Sequence, residues 1–199
     1  MMNKTLHIVT PSHTYQHRSH ILHRAIDSVL AQKPHGLQVK HHIIFDGEAP
    51  ENLPLPPLPA WYQYEIVATE RTAVYGAHQR NVGISRSDSG WVLFLDDDNT
   101  ITDDCCSIIE SRLQEDIGVL FFCVWHAELN CNVPADMNTI PKYGDIDSLC
   151  YVIQSQIANL AEWQALYHHD FLYIQNIVSI AEHLGYRIVH YEDVIGTHT

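Results

Sequence analysis

The chain has 199 residues, of which 46% are apolar and 18% are charged. This composition supports one domain with a substantial core and excludes intrinsic disorder. The formal net charge is −13 and only 11 residues are Lys or Arg, which argues against a general nucleic-acid binder because phosphate backbones require clustered basic side chains.

Short apolar runs alternate with helical patterns through the first half of the chain. Strands are predicted at 6–10, 39–46, 64–69 and 91–96. The helices predicted between them are one near 76–88 and one with a buried side formed by Ile21, Leu22, Ala25, Ile26, Val29 and Leu30. This alternation predicts an α/β fold, in which helices cover both faces of a mostly parallel central sheet.

The second half of the chain continues the pattern. Further strands are predicted at 118–126, 149–153 and 186–193. Thr102 is predicted to cap a helix whose first turn carries Asp103 and Asp104, because side-chain oxygens and negative charges are favoured at helix N-termini. The remaining predicted helices are one near 154–165 and one that runs from Asp170 to the stop signal Gly185.

Cysteine usage and the length of the apolar runs bear on the compartment. The five cysteines include the neighbours Cys105 and Cys106, and they form neither a plausible disulfide framework nor a paired zinc site. No stretch approaches the roughly 20 apolar residues of a membrane span, and the N-terminal apolar run is too short for a signal peptide. We therefore expect a cytoplasmic protein without an integral membrane segment.

The stretch WVLFLDDDNTITDD, residues 91–104, leads an apolar run into three consecutive aspartates. In an extended strand alternate side chains share a face, so Asp96 and Asp98 are predicted to point together while Asp97 points away. Their side-chain roots would lie about 6–7 Å apart, so that one carboxylate contacts a divalent ion directly and the other acts through water or a ligand hydroxyl. Oxygen ligands favour Mg²⁺ or Mn²⁺.

The position of these aspartates in the fold supports a binding site. In open parallel sheets, ligands bind beyond the carboxyl ends of the strands. Three strand ends with acids or polar turns, at 9–12, 45–47 and 95–99, are expected to meet there. The competing interpretation is that the Asp-x-Asp run is only a polar turn after an apolar strand.

Four stretches of the chain together resemble a known family. They read HIVTPSH, HHIIFDG, YGAHQRNVGISRSDSGWVLFLDDDN and HHDFLYIQNIVSIAEHLGYRIVHYEDVIGTH. In this order they resemble the nucleotide-sugar-dependent glycosyltransferases of the GT-A fold, in particular the inverting family 2. The resemblance covers about 5–110 and, less closely, 165–199. The most specific block combines an Arg-Asn-x-Gly helix start, a Ser-x-Gly turn and an apolar strand that ends in Asp-x-Asp.

The resemblance implies a single GT-A (Rossmann-like) domain over residues 1–199. Its nucleotide-sugar-binding half would span about 1–100 and its acceptor-binding half about 101–199. Because the chain ends one residue after a matching histidine, we also expect it to be one domain of a longer polypeptide.

The resemblance also assigns residues to the donor. Those implied to bind the nucleotide sugar are Thr10, Pro11, Ser12, Asp46, Arg80, Asp96 and Asp97. Asp46 would accept the N3–H of uracil, Arg80 would lie near the base or the diphosphate, and Asp96 would contact the ribose. Asp98 would bind the metal directly, and His198 would complete the metal site, which favours Mn²⁺ over Mg²⁺. The alternatives are that Arg80 forms a surface ion pair and that His198 belongs to a frayed terminus.

The base and the acceptor side follow from the same resemblance. Asp170 matches the second position of a Glu-Asp pair and is the first candidate for the catalytic base, the alternative being that it is only an N-cap. Glu192 and Asp193 rank second, because they follow a strand. The acceptor side would lie near 135–153, and the side chains there that can hydrogen-bond or stack on a sugar are Tyr143, Asp145 and Asp147, with Trp163 beyond them. The equal alternative for each of the four is an ordinary loop or core residue.

The resulting hypothesis is a metal-dependent, hexosyltransferase-type enzyme. It would transfer one sugar, with inversion, from a nucleoside-diphosphate sugar that we expect to be UDP-linked. The acceptor would be a hydroxyl of a glycan or of a lipid-linked or protein-linked molecule. The Gln-x-x-Arg-Trp motif of processive synthases is missing, which favours single-sugar transfer. The alternatives are a non-catalytic nucleotide-sugar or glycan-binding module and, less favoured, a sugar nucleotidyltransferase, for which the glycine-rich basic loop is missing.

Overall fold

The computed structural model describes residues 4–13, 15–72, 76–136 and 142–199. Its strands are β1 (Thr5–Ser12), β2 (Gln38–Asp46), β3 (Tyr62–Thr69), β4 (Trp91–Phe94), β5 (Thr100–Ile101), β6 (Ile117–His126), β7 (Cys131–Val133), β8 (Tyr151–Gln154) and β9 (Arg187–His198). Its helices are α1 (Tyr15–Leu30), α2 (Ala77–Ser85), α3 (Cys105–Arg112), α4 (Ser155–Ala158) and α5 (His169–His183), with a short 3-10 helix at Ser148–Cys150.

The strands form one sheet in the order β3-β2-β1-β4-β8-β6-β9-β5, with β7 paired to β6. The neighbours β3, β2, β1 and β4 run parallel, and so do β6 and β9. Strand β8 joins these two parts by pairing antiparallel with both β4 and β6. The predicted mostly parallel central sheet is therefore confirmed.

Helices α1 and α2 lie on opposite faces of this sheet. In the parallel pairing of β1 with β2, Val9 pairs with His42 and Thr10 pairs with Ile43, so the two pairs face opposite sides. Leu22 and Ile26 of α1 belong to the apolar cluster that contains Ile43. Helix α2 packs on the other face, which carries Val9. Helices cover both faces, as the alternating pattern predicts.

Two glycines bring α2 close to β1. A side-chain carbon added at Gly83 would lie 2.3 Å from Cγ1 of Val9, so only glycine permits this approach. Gly76, which precedes the helix, has a φ of 74° and allows the chain to turn where Arg80 and Pro11 leave no room for a side chain. The start of α2 is thereby fixed over the carboxyl end of β1.

The aspartate triplet differs from its prediction. Strand β4 ends at Phe94, and Asp96–Asn99 form a turn closed by a 3.0 Å bond from the Asn99 N–H to the Asp96 carbonyl. The prediction that Asp96 and Asp98 share the face of an extended strand is therefore wrong. The backbone bond of the turn replaces the strand pairing that would have kept the chain extended.

Two helix boundaries in the second half of the chain also differ from those predicted from the sequence. Thr102 does not cap α3, because its backbone N–H bonds to Ile195 and its hydroxyl to Val194, both in β9; the residue at the N-cap position is Asp104. The helix predicted near 154–165 is the single turn α4. The side chain of Asn81 holds both the N–H and the C=O of Trp163, which removes that residue from helical bonding.

The final strand β9 is longer than predicted and continues to His198, because its end pairs with both β5 and β6. Over the described ranges, none of the helices is both long and apolar enough to cross a membrane.

Candidate active site

A pocket of about 240 Å³ opens at the carboxyl ends of β1, β2 and β4. It is lined by Pro11, Ser12, His13, Asp46, Gly76, Gln79, Arg80, Asp96, Asp97, Asp98 and His169. The three strand ends selected from the sequence therefore converge. The starts of α2 and α5 close the pocket from the side.

Asp46 is held at the end of β2 by several donors. Its Oδ1 accepts a 2.6 Å bond from the backbone N–H of Thr72 and a 3.0 Å bond from Nε2 of Gln79. Gln79 also donates to the Thr69 hydroxyl, and its Oε1 is buried without a hydrogen-bond partner. Only 1% of Gln79 is exposed. Gln79 is a site residue that the sequence does not reveal, because it stands 33 positions from Asp46 and belongs to no recognisable pattern with it.

The three residues at the end of β1 have different environments. Thr10 is fully buried and its Oγ1 lies 2.8 Å from Nε2 of His41, so its side chain faces the interior and not the nucleotide as expected. Pro11 and Ser12 line the pocket. Ser12 donates a 2.8 Å bond to Oδ2 of the buried Asp97, which ties the aspartate turn to β1.

Arg80 connects the pocket to the core. Its Nη2 forms a short ion pair with Oδ1 of Asp96, and its guanidinium lies 4.6 Å from the centre of the Trp163 ring. Burial raises the pKa of Asp96, and the Arg80 charge opposes this rise. Trp163 is only 3% exposed, which excludes the expected stacking on an acceptor sugar; it supports Arg80 instead.

The aspartate turn is bonded to the end of β9. The carbonyl of Asp98 accepts from Nη2 of Arg24 and from the hydroxyl of Thr199. The neighbouring His198 lies with its Nδ1 2.7 Å from Oδ2 of Asp147, and its ring stacks on His126. The bond to Asp147 raises the pKa of His198, and the charge of Asp98 adds to this effect.

Asp98 and His198 fit a divalent ion that receives its remaining ligands from a bound phosphate-containing molecule. Among the residues that the structure describes, no group of three or more His, Cys, Asp or Glu side chains could hold a metal alone. Asp98 and His198 supply one carboxylate and one imidazole, and the Nδ1 of His198 is already held by a carboxylate, as in many metal-binding histidines. One or two protein ligands suffice where substrate phosphates provide the others.

Asp170 lies in the first turn of α5, directly after His169; His169 lines the pocket and Asp170 does not. The residue at the N-cap position is His168, so Asp170 lies at the second position of the helix and not at the cap itself. Its Oδ1 accepts a 2.8 Å bond from the Phe171 N–H. Burial raises the pKa of Asp170, and the charge of Asp147 adds to the rise. The neighbouring His169 lines the pocket, and burial lowers its pKa to about 4, so it is neutral at pH 7.

The other acids selected from the sequence have structural contacts. Asp145 accepts a 2.9 Å bond from the Ala135 N–H within its loop. Residues 137–141 of the expected acceptor region lie outside the described part of the chain. Asp193, in the second-ranked pair, bonds to Arg112 at 3.2 Å. Asp147, expected to face the acceptor, instead holds His198.

Comparisons with known proteins agree with this geometry. The family model described as "Glycosyl transferase family 2" matches residues 8–143. No curated protein sequence matches the chain. Three structures of Staphylococcus aureus TarS have the same fold. The structure described only as TarS has a TM-score of 0.76 at 13% identity, the 1–349 complex with UDP has 0.75 at 13%, and the 1–349 complex with UDP-GlcNAc has 0.77 at 14%.

The present chain is shorter than each of the three TarS chains. Each match covers 98% of the present chain but only 36%, 60% and 58%, respectively, of the three TarS chains. At this identity the similarity shows a common fold.

Proposed function

Since the chain belongs to glycosyl transferase family 2, we propose that it transfers one sugar from a nucleoside-diphosphate sugar to an acceptor hydroxyl, with inversion and with a divalent metal ion. The observation that carries this proposal is the convergence of Asp46, Arg80 and the aspartate turn in one pocket, which is also lined by His169, the residue before Asp170. The proposed donor is UDP-linked, because TarS, which has the same fold, binds UDP and UDP-GlcNAc.

Each residue at the donor end has a chemical role in this proposal. Asp46, fixed by Gln79 and Thr72, accepts the N3–H of uracil. Arg80 provides a positive charge that cannot be lost at physiological pH, and this charge opposes the rise that burial causes in the pKa of Asp96, the residue proposed to contact the ribose. Pro11 and Ser12 form the wall next to the nucleotide.

The reaction requires that the negative charge on the departing diphosphate is neutralised and that the acceptor hydroxyl loses its proton. Asp98 and His198 would hold a divalent ion, which when bound offsets the charge that develops on the departing diphosphate. Mn²⁺ is favoured over Mg²⁺ because one of the two ligands is an imidazole. Asp170 takes the proton of the acceptor hydroxyl, and its raised pKa makes it a better base than an exposed aspartate.

The first test identifies the donor. Thermal unfolding is followed with uridine, guanosine, cytidine and thymidine nucleotide sugars, each with and without Mn²⁺. We expect stabilisation by a uridine sugar with Mn²⁺, of about 2.7 kcal/mol when the ligand is present at 100 times its Kd. If no nucleotide sugar stabilises the protein, the proposed function is wrong.

The second test separates the base from the metal ligand. Asp170→Asn should leave donor binding intact while transfer, followed as UDP release with water or simple sugar hydroxyls as acceptor, falls about 10²-fold or more. Asp98→Asn should abolish the Mn²⁺-dependent binding of UDP in calorimetry. Asp103→Asn, which removes an exposed acid from the segment that follows, is the matched control and should change neither. Donor binding without turnover in the unmodified protein would favour the non-catalytic module.

A further inference from the structure

Asp147 links two parts of the candidate site that are distant in the sequence. Its side chain is only 12% exposed and lies just before the short 3-10 helix Ser148–Cys150. Oδ1 accepts a 2.8 Å bond from the N–H of Leu149, and Oδ2 lies 2.7 Å from Nδ1 of His198. Each carboxylate oxygen therefore has its own partner, so the position of the side chain is fixed from both sides.

This contact determines which nitrogen of His198 carries the proton. A carboxylate accepts hydrogen bonds and donates none when ionised, so the proton of a neutral His198 must lie on Nδ1. The lone pair is then on Nε2. The ring cannot easily rotate away, because it stacks on His126 with the ring centres 4.3 Å apart.

We propose that Asp147 is a positioning residue that keeps His198 in the Nδ1–H tautomer and thereby presents the Nε2 lone pair to the divalent ion at the aspartate turn. This role rests on the proposed function. It differs from the expected contact with the acceptor, because both oxygens of Asp147 are occupied within the protein. A carboxylate behind a histidine typically changes metal affinity by 10–100-fold.

Asp147→Asn is the sharpest variant, because it has nearly the same shape as the native residue. An amide offers one acceptor oxygen and one donor group, whereas the carboxylate offers two acceptors. If the oxygen continues to cap Leu149, the NH₂ group faces His198 and requires a lone pair on Nδ1. The substitution should therefore reverse the tautomer to Nε2–H. Asp147→Ser serves as a second variant, since serine can cap the 3-10 helix but is too short to reach His198.

The first measurement needs no metal and no activity. Nitrogen NMR shifts of the His198 ring, recorded at pH 9 where imidazoles are neutral, should show Nδ1–H in the unmodified protein and Nε2–H in Asp147→Asn. Asp116→Ser is the matched control, because it removes a carboxylate that contacts the other end of β9 through Arg187. It should leave the His198 tautomer unchanged. An Nε2–H tautomer in the unmodified protein, or an unchanged tautomer in Asp147→Asn, would overturn the proposal.

The second measurement is calorimetric binding of Mn²⁺ in the presence of UDP. We expect the affinity to fall 10–100-fold in Asp147→Asn and Asp147→Ser and to be unchanged in Asp116→Ser. Unchanged affinity in variants whose tautomer has reversed would also overturn the proposal. A third outcome is that the tautomer reverses in Asp147→Asn but that neither the variants nor the unmodified protein bind Mn²⁺. In that case Asp147 still positions His198, and it is the metal dependence of the proposed function that is wrong.

Discussion

Replacing Arg80 tests whether the pocket depends on the ion pair with Asp96. Arg80→Met keeps most of the length of the side chain and its contact with the Trp163 ring but removes the charge. The Asp96 carboxylate then remains in the protein without its cation. The expected result is a loss of stability, because a charge that stays partly desolvated and unpaired is unfavourable.

The size of the effect follows from the exposure of the two partners. Breaking a fully buried pair costs about 3–5 kcal/mol, but 29% of the Asp96 side chain is exposed, and water partly stabilises its charge. We therefore expect the free energy of unfolding to fall by about 2–3 kcal/mol in Arg80→Met. Arg80→Lys, which keeps the charge but loses the planar fork and the stacking on Trp163, should lose about 1 kcal/mol.

Urea unfolding followed by tryptophan fluorescence measures these differences. The double variant Arg80→Met with Asp96→Asn should be about 1–2 kcal/mol more stable than Arg80→Met alone, because the unpaired charge is gone. The reasoning is refuted if Arg80→Met unfolds within about 0.5 kcal/mol of the unmodified protein, or if the two substitutions are simply additive.

Three other contacts give predictions of the same kind. Gln79→Ala should weaken UDP binding about tenfold in calorimetry, because Asp46 loses a donor that orients it, whereas Gln79→Glu should weaken it further by placing a second acid beside Asp46. Burial lowers the pKa of His41 to about 3, whereas the pKa in the unfolded chain is about 6.5. As the pH falls below 6.5 the unfolded chain binds a proton that the folded protein does not, so the free energy of unfolding decreases by about 1.4 kcal/mol per pH unit. His41→Gln removes this effect and should flatten the decline in stability to urea between about pH 6.5 and 5. Gly83→Ala should destabilise the protein by about 1–3 kcal/mol through its clash with Val9, and thermal unfolding that is unchanged would contradict the close approach of α2 to β1.

The strands of the first half could be predicted because local pattern determines them. β1 and β2 are almost wholly buried, so their apolar runs are continuous and easily recognised. The pocket followed from the same pattern, since strand ends in a parallel sheet meet at one edge. Asp46 and the aspartate turn both line this pocket, as the positions of the strand ends predict.

The errors arose where contacts distant in the sequence override local preference. The helical pattern near 154–165 could not reveal that Asn81, 82 positions earlier, bonds the backbone of Trp163. Of the two alternatives for Trp163, the structure shows the core residue, because Arg80 and the core enclose its ring. The sequence around Asp147 carries no local sign of its bond to His198, which spans 51 positions. Such pairings leave no periodic signal in a single sequence.

The bond between Thr199 and the Asp98 carbonyl has a consequence for the order of folding. It joins residues 101 positions apart, so forming it closes a long loop that local helix or turn formation does not shorten. Contacts between residues that are distant in the sequence slow folding, because chain entropy is lost before they stabilise the fold. The turn that carries Asp98 should therefore be fixed only after β9 has joined the sheet. A refolding experiment would then recover tryptophan fluorescence before it recovers the capacity to bind UDP.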